Sequence, residues 1–182
     1  MIRLFAVVLV LAWSGLAHAQ SLKAPSGPVI LTVSGKIAQT NRGPFDEKKD
    51  AFFKNQQVTF QRAAAFDLAM LEALGMRSVE ADYPQGGALH KFEGPLLRDM
   101  LNAVGASGRV VKVAALDGYV QEIELREIEQ WPILLAVKED GAYLPLGGFG
   151  PTRIVFPRRD VPALADRNDD KWVWAVVHIS VE

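Results

Sequence analysis

The run Trp172–Val181 most constrains how this chain folds. Val173, Ala175, Val177, Ile179 and Val181 alternate with Trp174, His178 and Ser180. A period of two places the first set on one apolar face, so the segment reads as a strand covered on that side. A strand of this kind needs neighbouring strands and a layer packed on its apolar face.

Candidate neighbours follow from the same pattern. Val29–Ile37 alternates, with Val29, Leu31, Val33 and Ile37 facing inward and Thr32, Ser34 and Lys36 outward. Gln57–Gln61 and Ser78–Tyr83 are further strand candidates. Val110–Ala115 and Val120–Leu125 flank the turn signal Asp117-Gly118. Ile133–Lys138 and Ala142–Leu144 flank Asp140-Gly141, a short hairpin signal. Gly147-Gly148-Phe149-Gly150-Pro151 leads into a strand at Thr152–Phe156.

Two main helices are expected. Asp67 stands at an N-cap position ahead of Leu68, Leu71 and Leu74, and Gly75 ends the stripe. Pro95 sits at the first position of a second helix carrying Leu96, Leu97, Met100, Leu101 and Val104, closed by Gly105. Arg126–Gln130 adds one helical turn. Gln39–Lys54, with Asp46-Glu47-Lys48-Lys49-Asp50, reads as a loop with a solvated charged face, and Pro84–Lys91 as a second loop. The fold class is α+β: one domain with mixed β-sheets and two main helices over residues 29–182.

The segment before residue 29 reads differently. Arg3 is the only charge in Met1–Ala19, Leu4–Ala12 is unbroken apolar, and Ala17-His18-Ala19 is a small-x-small cleavage site. These features indicate a general secretory signal peptide cut after Ala19. The run reaches about half of the ~20 apolar residues that span a bilayer. Residues 20–28 form a flexible polar leader. The expected location is periplasmic or secreted, with no membrane span after cleavage.

Composition then removes function classes. Lys and Arg total 20 against 21 Asp and Glu, which excludes nucleic acid as the main partner. No cysteine is present, so disulfides, thiolate metal sites and cysteine nucleophiles are absent. No GxSxG, SxxK, HExxH or Walker pattern occurs. His90 is expected at the surface and His178 as a partly buried, hydrogen-bonded residue. The basic residues Arg153, Arg158, Arg159 and Lys171 lie around the glycine-rich loop and the last strand. They read either as anion contacts, with backbone N–H groups of Gly147, Gly148 and Gly150 beside them, or as ordinary ion pairs at strand ends.

Several of these segments share a wider pattern. They are Phe92-Glu93-Gly94-Pro95-Leu96-Leu97-Arg98-Asp99-Met100-Leu101, Ala115-Leu116-Asp117-Gly118-Tyr119, and Pro132-Ile133-Leu134-Leu135-Ala136 with Asp140-Gly141 and Leu144-Pro145. Gly150-Pro151-Thr152-Arg153-Ile154-Val155-Phe156-Pro157 and Lys171-Trp172-Val173 complete the set. In order and spacing the set resembles the sulfite-oxidase-type molybdopterin-binding domain family, across roughly Phe66–Val181. The resemblance implies that family's α+β fold, with a pterin site in loops at one end of the sheets.

It also implies where this chain departs. The family's molybdenum-ligating cysteine would fall in Ser78–Leu89, which has none. A histidine that binds anions is matched by Gly148, and the approach to Lys171-Trp172 carries Asp169 and Asp170. Arg153 and Lys171 carry over as phosphate contacts, with Gly148 and Gly150 lining them. Without a thiolate to hold and tune the metal, no cofactor is expected. The expected function is a redox-inactive module for a small anionic ligand or a periplasmic partner protein. The alternative is a molybdopterin-dependent oxidoreductase with atypical metal ligation. An open basic cleft near Arg153 and Lys171 would favour the cofactor; filling by Tyr83, Phe149 or Trp172 would disfavour it.

Overall fold

A computed structural model describes residues 22–83, 86–165 and 169–182. The candidate signal segment and Asn168 lie outside the described residues. In chain order the elements are β1 (Leu31–Gly35), α1 (Ala51–Asn55), β2 (Ala63–Phe66), α2 (Leu68–Ala73), β3 (Arg77–Ala81), β4 (His90–Gly94), α3 (Leu97–Ala103) and β5 (Val110–Ala115). They continue with β6 (Val120–Glu124), α4 (Leu125–Gln130), β7 (Leu134–Ala136), β8 (Lys138–Glu139), β9 (Ala142–Tyr143), β10 (Arg153–Val155) and β11 (Val176–Val181). Short 3-10 turns occupy Pro162–Leu164 and Asp169–Lys171. The fold is mixed α+β.

Among the described residues three sheets form. The largest has the order β2-β1-β11-β5-β6, with β1 and β11 parallel and the other neighbours antiparallel. A second has the order β3-β4-β8-β9, and β10 pairs with β7 in the third. One continuous apolar cluster draws on all three sheets and on α2, α3 and α4 through Leu71, Leu97, Met100, Leu101 and Ile128.

The last strand is shorter than its alternation suggests. Ala175 takes φ +50, and the register slips between Val176 and His178. A bulge places two residues opposite one and exchanges the faces. Val176 therefore enters the core, Val177 is half-buried, and His178 turns to the opposite side.

That opposite side is covered. Thr32 and Ser34, expected to face outward from β1, are buried. Phe53, Phe60 and Ala63 form a second apolar cluster, joined by Phe45, Phe52 and Val58. Residues 45–54, expected as part of an exposed loop, thus fold over the sheet together with Val58 and Phe60. Gln57–Gln61 is not a strand. The strand is β2, whose four residues are buried on both faces, and its alanines gave little β signal.

The helix boundaries have local causes. The Asp67 side chain accepts a hydrogen bond from the Met70 N–H at 2.8 Å, and Gly75 follows the helix with φ +100. Pro95 lies outside α3, not at its first position. Leu96 bridges Leu134, while the Leu135 N–H donates to the Pro95 carbonyl, so the chain stays extended one residue longer. β4, part of which was expected as loop, is held by β3 on one side and β8 on the other. Asp140 and Gly141 both take positive φ, as the β8–β9 turn requires.

Candidate functional site

The β5–β6 turn, the first residue of β10 and the turn at Asp169–Lys171 meet at one end of the sheets. A cleft of about 360 Å³ opens there. Its lining includes Tyr83, Asp117, Tyr119, Phe149, Arg153 and Trp174, with Asp169, Asp170 and Trp172.

Arg153 occupies β10, where pairing with Ala136 fixes its backbone. Its side chain is 2% exposed. The guanidinium carbon lies 4.8 Å from the ring centres of Tyr83 and Phe149 and 5.2 Å from that of Phe92. Aromatic faces attract a cation but offer no hydrogen-bond acceptor of the ordinary kind. Nε and Nη1 of Arg153 have no hydrogen-bond partner among the described residues. Burial lowers the guanidinium pKa, against the opposing charge of Glu139.

Tyr83 joins the cage to a polar cluster. Its hydroxyl donates to Glu139, and burial, reinforced by that carboxylate, raises the phenol pKa. The Tyr83 ring centre lies 4.8 Å from that of His90. His90 Nδ1 is 2.8 Å from an Asp140 oxygen and 3.4 Å from Glu139 Oε1. Ligand atoms of His90, Glu139 and Asp140 all lie within 4.8 Å of one another, the one such cluster among the described residues. These three could hold a divalent cation, although each already has a partner.

The four residues singled out in sequence divide. Arg153 lines the cleft. Lys171 does not; its ammonium lies 2.7 Å from Glu127 Oε2. The N–H groups of Gly148 and Gly150 both donate to the Pro145 carbonyl, at 3.1 and 3.2 Å. A Cβ at Gly150 would overlap the Leu144 carbonyl, so this glycine permits close backbone approach. The Gly150–Pro151 peptide is cis.

Arg158 and Arg159 are ion-paired at the strand end, as one of the two sequence readings held. Arg158 bonds Asp82 at 2.6 Å, Asp169 at 2.8 Å and the Tyr83 carbonyl at 2.8 Å; Arg159 pairs with Glu80. Tyr83 and Phe149 fill the space around Arg153, and Trp172, stacked on Phe156, closes one wall. The places of Phe92 and Glu139 around Arg153 and of Asp117 and Tyr119 in the cleft lining were not legible in the sequence. Phe92 read as an ordinary strand residue, Glu139 as part of a hairpin, and Asp117 as a turn former.

His178 is a second buried polar centre, away from the cleft. It is 5% exposed and 2.9 Å from Ser34 Oγ. Burial, aided by the charge of Arg42, pushes its pKa down to about 4. Arg42 lies over the Phe53 and Phe60 rings and pairs with Asp50.

Among the described residues, no helix is long and apolar enough to cross a membrane. No family model and no curated protein matches this chain.

Proposed function

We propose that this chain is an exported, periplasmic binding module, built on a scaffold like the sulfite-oxidase-type molybdopterin domain but without its redox chemistry. The cleft takes a small anion at Arg153. One observation carries the reading: a guanidinium only 2% exposed, lining an open cleft, has two nitrogens without partners among the described residues. Buried donors are normally satisfied, and an unpaired buried charge is costly. A bound carboxylate or similar anion supplies both the acceptor and the opposite charge.

The residues present fit molybdopterin poorly. No thiolate exists to hold the metal. The Lys171 ammonium is held by Glu127, and the Gly148 and Gly150 N–H groups serve Pro145. Asp117, Asp169 and Asp170 line the cleft, where they repel a phosphate. These features support a module that binds without electron transfer.

The test begins with protein purified from its native host. Metal analysis and pterin fluorescence should show neither group in stoichiometric amount, and small carboxylates should raise the melting temperature. Stoichiometric molybdenum with turnover of an oxo-transfer substrate would overturn the reading. So would failure of every small anion to bind.

A further inference from the structure

We propose that the ligand is a small zwitterion, its carboxylate on Arg153 and its ammonium group beside Asp117. This inference rests on the anion-site reading and narrows it. The cleft is not uniformly basic. Among the described residues its lining cation is Arg153, which is buried, whereas Asp117, Asp169 and Asp170 also line it. A simple anion gains from the first and is repelled by the others. A ligand with a positive end gains from both.

The acids differ in what occupies them. Asp169 is held by Arg158 at 2.8 Å. Asp117 accepts the Tyr119 N–H at 2.9 Å and makes no ion pair among the described residues. It is exposed, and can meet a ligand ammonium without a large desolvation cost.

The walls point the same way. Tyr119, Phe149 and Trp174 line the cleft and are each 42% exposed. Aromatic faces at this distance from solvent attract ammonium groups, methylated ones included. The volume of about 360 Å³ lies at the small end of ligand pockets and suits a molecule the size of an amino acid or a betaine.

The test compares shape-matched pairs by calorimetric titration of the whole protein. Glycine betaine is set against tert-butylacetate, which replaces its nitrogen by carbon. γ-Aminobutyrate is set against valerate. In at least one pair the zwitterion should bind about tenfold tighter than its partner. Choline, which lacks the carboxylate, should bind more weakly than betaine. Asp117→Asn should abolish the preference, weakening the zwitterion and, with one repelling charge gone, strengthening its carboxylate partner.

Which pair shows the preference tells a methylated ammonium from a primary one. If both carboxylate partners bind as tightly as their zwitterions, the inference fails and the anion site stands. If no zwitterion, no carboxylate partner and no inorganic phosphate binds, both fail. A preference that survives Asp117→Asn overturns the role given to Asp117.

Discussion

Ser34 Oγ and His178 Nε2 lie 2.9 Å apart, on β1 and β11, which pair in parallel in the large sheet. Both side chains are buried, and the Phe53 and Phe60 rings contact the imidazole. A neutral His178 suits this setting, because its charged form would lose water and face Arg42.

Stability should therefore depend on pH through His178. The folded state releases its proton down to about pH 4, whereas the unfolded chain takes one up near the ordinary value of 6.5. Stability is complete above about pH 6.5 and is lost as the pH falls towards 4, by roughly 3 kcal/mol in all. His178→Gln should remove this component. Urea midpoints of both proteins between pH 4 and 7 check it; identical slopes would refute it.

Arg153 and Lys171 should separate in function. Arg153→Lys replaces a planar fork with a point charge and should weaken binding of tert-butylacetate about tenfold or more. Lys171→Gln removes an ammonium already held by Glu127, so affinity should change by no more than about twofold. Parallel titrations, with melting curves to confirm folding, decide the matter. Equal losses in the two variants would contradict the assignment.

The cap at Asp67 does more than start α2. Its carboxylate accepts from the Met70 N–H at 2.8 Å, the Gly27 N–H at 2.7 Å and the Ser26 N–H at 2.6 Å. Those N–H groups, Met70 first, hold its pKa below the usual range. Asp67→Ala should cost about 2 kcal/mol or more, since the cap and the tether to the leader go together. It should also hasten proteolysis near Ser26. A variant with unchanged stability and protease resistance would contradict this.

Gly150 and Gly148 should tolerate alanine unequally. A Cβ at Gly150 meets the Leu144 carbonyl, a backbone atom that cannot swing away, and Gly150→Ala should cost about 1–3 kcal/mol. At Gly148 the nearest atom is Pro145 Cγ at 3.3 Å, and the cost should be clearly smaller. Chemical denaturation of the two variants gives the comparison.

Elements with local causes were legible. The Asp67 cap, the Gly75 and Gly105 stops and the Asp140-Gly141 turn appear where short-range chemistry put them. β2 was not legible, because three alanines and a phenylalanine form a strand only by virtue of what covers them. The bulge at Val177 was hidden because alternation carries no mark of an extra residue. At the site, Arg153 stood out in sequence by its place after Gly150-Pro151. Its cage did not, since Tyr83, Phe92 and Phe149 lie far apart in the chain.

By itself, then, the sequence determined the α+β character, the absence of any thiolate and the local starts and stops of several elements. These follow from composition and from forces acting over a few residues. Only the tertiary structure decided that Arg153 would be buried with two donors unpartnered among the described residues while Lys171 would be neutralised by Glu127. Charge on a side chain is a property of the residue, but desolvation and pairing depend on which distant segments pack against it.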